Sequence, residues 1–383
     1  MNTGKLIDEV RQIAVDVSSA AADDVDRGAR FPKESFDALK KAKVLSAYIP
    51  TELGGFGCSI ADLSAMCYEL GQRCANSAMV FAMHQIQVGC LVRHGQKQPA
   101  LAKYMRELAE KQLLLASATT EAGIGGDVRS STCAVELTGD RWKLQKNAPV
   151  ISYGDHADAI LATARRTPES AANDQVIVLC TKSETKLTQQ HGWDTLGFRG
   201  TCSNGYMLAA EGPREHILPT PYGEISAQTM LPFSHIVWTS LWLGIAADAV
   251  NRARSSVRAE ARRKPGTTPP AALRLAEVVS RLQYMRSHVE DITRSYGQVM
   301  DDAEAMSSLG FAIKMNNLKV GTSRLLIDVV SQALTICGIA GYKNDSAISV
   351  TRHLRDAHGA ELMVANDRIL SANASMLLVY KDE

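Results

Sequence analysis

The stretch RHLRDAHGAELMVANDRIL, Arg352 to Leu370, decides how the rest of the chain is read. It has the outline of a catalytic segment. Arg355 and Asp356 lead it, and Asn366, Asp367 and Arg368 close it. Val364 lies within it, with Glu361 three residues before it, one helical turn away.

The surrounding sequence limits the chemistry this segment can serve. At 383 residues and 45% hydrophobic, the chain can bury a large core in two or three domains. Lys plus Arg number 42 against 41 Asp plus Glu, so there is no general pull toward nucleic acid or a membrane surface. The expected partner is a small molecule or a defined protein surface. The eight cysteines show no C-x-x-C pair and no metal-ligand spacing, and most sit among apolar neighbours. They read as buried free thiols of a reducing cytosol, with no metal site. The start, MNTGKLIDEVRQIAVDV, has charges within its apolar run and reads as neither signal peptide nor membrane span, which places the protein in the cytoplasm.

Helices come first, then strands, then helices again. Leu6, Val10, Ile13 and Val17 repeat at helical spacing, PTELGGFGCS (50–59) is a glycine-rich loop, and the apolar stretch after it reads as two packed helices. From about Ala116 the texture changes to short β-rich runs, STCAVELTGDRWKLQ, AILATARR and QVIVLCT, joined by Gly, Asn, Asp and Ser turns. From Met230 long helices return, interrupted by the loop at 264–272. The expected class is mainly α with a central β-domain: a helical domain over 1–115, an antiparallel β-barrel or sandwich over 116–220, and a four-helix bundle over 221–383.

This order of elements and loops resembles the acyl-CoA dehydrogenase family over nearly the whole chain. Pro50 to Gly57 is similar to the family's P-x-E-x-G-G-x-G turn, and T-T-E-A-G-I-G-G-D (119–127) to its T-E-P-x-x-G-S-D signature. G-W-D-T-L-G-F-R-G-T (192–201), C-G-I-A-G-Y (337–342) and the Arg355-Asp356-Ala357 opening complete a series of five in family order. The resemblance implies FAD, a homodimer or homotetramer, and oxidation of an acyl thioester of coenzyme A or of a carrier protein to its α,β-enoyl form. Electrons would pass to an electron-transfer flavoprotein or to O2.

A flavin needs hydrogen-bond donors at the edge of the ring that carries the charge of reduction. Thr119 and Thr120 suit this chemically, and by resemblance Thr120 and Ser152 face the ring, with Asn366 and Arg368 also on the cofactor. Val150 replaces the family's tryptophan. The pyrophosphate calls for a basic side chain and small residues that admit close backbone approach, roles that fall by position on Arg262, Gly338 and Gly341. Gly126, Ser234, Val364 and His84 fall around the substrate.

Dehydrogenation of a thioester needs an ionised base beside the flavin. The resemblance places that base at Val364 or, in some members, at Ser234, and neither side chain serves. Glu361 and His235 are the candidate replacements. Three readings follow: a dehydrogenase with a displaced base; a flavin-dependent monooxygenase on the same fold, in which His84 and Ser152 flank the ring; and a non-catalytic FAD-binding subunit.

Overall fold

The computed structural model describes residues 3–125 and 127–381. Six helices open the chain: α1 (Thr3–Ile13), α2 (Ser19–Gly28), α3 (Lys33–Lys41), α4 (Ile60–Gly71), α5 (Ala75–Gly95) and α6 (Pro99–Lys111). Leu6, Val10 and Ile13 are the buried face of α1, as their spacing predicts. The glycine-rich loop turns through Gly54 and Gly57, at φ of +88° and +62°. Ser59 and Asp62 then cap each other's backbone in a capping box that starts α4.

Seven strands follow: β1 (Leu115–Ala118), β2 (Glu136–Thr138), β3 (Arg141–Ala148), β4 (Ala159–Arg165), β5 (Gln175–Thr181), β6 (Thr185–His191) and β7 (Gly205–Pro213). They form two open sheets, β1-β4-β5 and β2-β3-β7-β6, and no closed barrel. The antiparallel expectation needs one correction, because β1 and β4 run parallel. A parallel pair requires a long crossover, and the segment between them, which carries the β2–β3 hairpin, supplies it. β4 and β5 are buried on both faces. Leu161, Ile177 and Leu179 pack with Leu101, Met105 and Leu108 of α6. The alternate residues Ile160, Ala162, Val176 and Val178 join the main core. This two-sided cover explains why these runs read as continuously apolar.

The C-terminal helices are α7 (Tyr222–Ile225), α8 (Leu231–Arg263), α9 (Ala271–Val299), α10 (Ala303–Ser307), α11 (Leu309–Tyr342), α12 (Thr351–Leu362) and α13 (Asn366–Leu377). Three of them, α8, α9 and α11, are long, and α12 and α13 both pack on α11, so two short helices share the place of the expected fourth. The bundle is joined to the N-terminal helices by close approach of α4 and α8. A Cβ on Gly71 would lie 2.4 Å from the Leu241 carbonyl oxygen, and one on Gly244 2.4 Å from that of Tyr68. Glycine at both points lets the backbones meet. All eight cysteines are free thiols.

Candidate functional site

Thr119 and Thr120 leave the end of β1, both half-buried. The Thr120 hydroxyl donates to the Val150 carbonyl at 3.0 Å and so ties this turn to the segment that carries Ser152. Ser152 is buried and accepts a hydrogen bond of 2.8 Å from Ser203, which leaves its own O–H without an acceptor among the described residues. Beyond Thr120 the chain turns through Gly123 and Gly125, at φ of +89° and +59°, with open space where a Cβ would stand. Arg368, in the first turn of α13, donates to the Gly125 carbonyl. The turn after β1, the Val150–Ser152 segment and the start of α13 therefore converge. Gly126 lies outside the described residues.

A buried ion pair that the motif comparison passed over anchors this turn. Glu121 accepts hydrogen bonds from the Ser131 hydroxyl at 2.5 Å, the Cys133 amide at 2.7 Å and Thr132, and Lys146 Nζ sits 3.2 Å away. Lys146 also donates to the Thr163 carbonyl at 2.8 Å. Burial pushes the Glu121 carboxyl up, but Ser131, Thr132 and Lys146 outweigh it and hold the group well below the usual range. The signal was in the sequence. Lys146 shares the inward parity of β3 with Trp142, Leu144 and Ala148, and a lysine there needs a buried partner.

Across the cleft, Val364 lies between α12 and α13 with φ +49°, a left-handed backbone that a β-branched residue rarely adopts, and its side chain is half exposed. Lys319 of α11, fully buried, donates to the Val364 carbonyl at 2.9 Å and to Asn366 Oδ1 at 2.7 Å. The amide of Asn366 donates in turn to Ser323 and, at 3.3 Å, to Glu361. Both strong acceptors of Lys319 are neutral, and burial lowers its pKa to about 8 although Glu361 pulls the other way. Lys319 was also missed. Its only mark in the sequence is a charge among the apolar residues Met315, Leu318 and Leu326 of α11, all buried.

The two candidate bases sit in different settings. Glu361 is partly exposed and lies beside Arg324, 3.8 Å away, one turn further along α11 than the contact between Lys319 and Val364. His235 is buried, with Nδ1 3.3 Å from the Ser234 hydroxyl and Nε2 unpartnered. Burial, and the charge of Lys319 after it, push its pKa down to about 3, so the ring stays neutral and is too weak a base for neutral pH. Ser234 itself donates to the Leu231 carbonyl at 2.7 Å. No aspartate or glutamate is hydrogen-bonded to Ser234, His235 or Val364 among the described residues.

His84 does not line the site. Its Nε2 meets the Leu45 carbonyl at 2.8 Å and its Nδ1 accepts from the Leu115 amide at 3.0 Å, so it pins β1 to the N-terminal helices. With both nitrogens engaged and the ring fully buried, it has nothing left to offer a ligand. Gly338 kinks α11 at φ +60° with open space in front, and Ile339 and Tyr342 beside it are exposed. Gly341 is crowded, since a Cβ there would come within 2.4 Å of that of Cys337. Arg262 is exposed near the end of α8 and carries no hydrogen bond or ion pair among the described residues. A Ser152 O–H with no acceptor among the described residues, beside a glycine turn, together with an open glycine kink and an arginine unpaired among the described residues, fits a flavin dinucleotide.

Residues 3–112 match the acyl-CoA dehydrogenase N-terminal domain, and residues 223–368 match the acyl-CoA dehydrogenase C-terminal domain. Cyclohex-1-ene-1-carbonyl-CoA dehydrogenase of Geobacter metallireducens is 23% identical over 98% of this chain and 97% of its own. The amino sugar nitrososynthase DnmZ of Streptomyces peucetius is 26% identical over 90% of this chain and 85% of its own. Among solved structures, the dibenzothiophene monooxygenase TdsC of Paenibacillus sp. A11-2 shares the fold with a TM-score of 0.84 at 18% identity, covering 99% of this chain and 98% of that one.

Proposed function

The chain belongs to the acyl-CoA dehydrogenase family, and we propose that it is a flavin-dependent oxygenase on that scaffold. One observation carries this reading: the position at which the resemblance expects the dehydrogenase base is Val364, whose carbonyl is held by Lys319, and no carboxylate is hydrogen-bonded to Val364, Ser234 or His235 among the described residues. A thioester cannot lose its α-proton to valine, to a hydroxyl engaged with the backbone, or to a histidine of pKa about 3. A flavin reduced by a separate reductase supplies the two electrons with which dioxygen is split, one oxygen atom entering the substrate and the other leaving as water.

The residues of this chain do the rest. Thr119 and Ser152 would offer hydroxyls to the ring, while Thr120, bonded to the Val150 carbonyl, would hold the turn beside it and Asn366 and Arg368 would close the site from α13. Arg262 and Gly338 receive the phosphates, which favours FAD over a mononucleotide. Lys319 fixes the segment at 364–366, and neutral His235 offers a hydrogen bond without competing for a proton. Relatives named as a nitrososynthase and a monooxygenase are consistent with oxygen chemistry on this scaffold.

A displaced-base dehydrogenase is the second reading. It is favoured by the 3.3 Å hydrogen bond that keeps Glu361 tied to Asn366 and so to the loop. Anaerobic titration of the flavin-loaded protein with butyryl-, hexanoyl- and cyclohexanecarbonyl-CoA separates the two. The oxygenase reading expects no bleaching of the flavin band, and rapid reoxidation in air once dithionite has reduced it. Bleaching by a thioester that is lost in Glu361→Gln establishes the dehydrogenase instead.

A further inference from the structure

Apart from the site where β1 and α13 converge, the molecule holds a cavity of about 850 Å³ between α2, the loop before β7, the middle of α8 and the segment leading into α12. That volume is in the range of pockets that enclose a nucleotide-sized ligand. Five arginines line it: Arg27, Arg199, Arg252, Arg352 and Arg355. We propose that this cavity binds a small molecule carrying a diphosphate group.

Arg252 and Arg355 are each held by a carboxylate outside the cavity, with guanidinium N–H groups to spare. Arg252 is fixed by Asp248 at 2.7 Å and by the Ser349 carbonyl at 2.9 Å, and Arg355 by Asp26. Neither Asp248 nor Asp26 lines the cavity. These two carboxylates orient the guanidinium forks without occupying the space the forks border. Of the two carboxylates that do line it, Asp23 pairs with Arg352 at 3.2 Å and Asp345 lies 3.8 Å from Lys343. Arg27 uses only its Nε, on the Asp23 carbonyl at 3.3 Å, and both its terminal nitrogens are without partners among the described residues. Charges in the neighbourhood nearly balance, so recognition here rests on directed donors rather than a long-range field. Preoriented guanidinium groups match phosphate oxygens through paired N–H bonds.

His353 also lines the cavity. Its Nε2 is 2.7 Å from Asp248 and its Nδ1 has no partner although the residue is 4% exposed. Nδ1 is shielded from the cavity, and His353 acts by holding Asp248, which in turn orients Arg252. Exposed Leu196 is part of the wall and gives the remainder of the ligand an apolar surface.

The test is calorimetric titration of flavin-loaded protein with pyrophosphate and with ADP. Saturable binding is expected for both, tighter for ADP, with flavin retained. Arg27→Gln should weaken both by about tenfold, the effect of one charge-assisted contact, and Leu196→Trp should block ADP more than pyrophosphate. Arg258→Gln, exposed on α8 away from the cavity, should change neither. The proposal fails if neither ligand binds at millimolar concentration, if binding displaces flavin, or if Arg27→Gln and Leu196→Trp both bind as the parent does.

Discussion

Lys319 Nζ lies 2.9 Å from the carbonyl oxygen of Val364, so a buried amine grips the backbone at the point where the resembled motif carries its carboxylate. The grip explains how a left-handed valine persists there. Hydrogen bonds from a fully buried side chain to Val364 and Asn366 determine the loop more strongly than the local preference of either residue.

Lys319 gives the protein a measurable alkaline limb. Its pKa falls from 10.5 to about 8 on folding, so the unfolded chain holds the extra proton between those values and the stability associated with this group is lost as pH drops from 10.5 through 8. Urea denaturation of the parent and Lys319→Met between pH 7.5 and 10.5 should show the parent gaining up to about 3 kcal/mol relative to the variant with rising pH. Parallel curves would remove the buried amine from the account.

Val364→Gly should stabilise the protein by about 1 kcal/mol. The side chain is half exposed, so little burial is lost, while the φ of +49° becomes unstrained. A higher urea midpoint checks this, and a lower one would mean that the valine side chain packs against more than its exposure suggests.

His84 predicts an acid limb. Burial lowers its pKa to about 4, so its contribution is complete above 6.5 and fades as pH falls toward 4. His84→Ala should cost about 2–4 kcal/mol at pH 7, because the Leu115 amide loses its acceptor and a void opens. Its acid limb should also be flatter than the parent's by one proton in a denaturation series from pH 7 to 4.

Glu121→Gln should destabilise by about 3–5 kcal/mol, because Lys146 is left charged in the core with no carboxylate beside it. Lys146→Met should cost less, since Glu121 keeps its bonds from Ser131, Thr132 and Cys133. Equal losses would contradict this asymmetry. Both variants should also bind flavin more weakly, because Glu121 follows directly on Thr119 and Thr120.

The sequence by itself determined the class of fold, through apolar repeats such as Leu6–Val10–Ile13 and the inward parity of β3, and it determined the missing base, since valine at 364 has no proton chemistry wherever it sits. Those are properties of local periodicity and of side-chain chemistry. Tertiary structure decided what surrounds that valine. Lys319 is 45 residues from Val364, and Glu121 is 25 from Lys146. A buried charge is tolerated only where partners from distant segments arrive together, and linear spacing does not encode that meeting. The same holds for His84 and His235. On the sequence both are titratable groups near a site, and burial alone turned the first into a backbone tie and the second into a neutral ring.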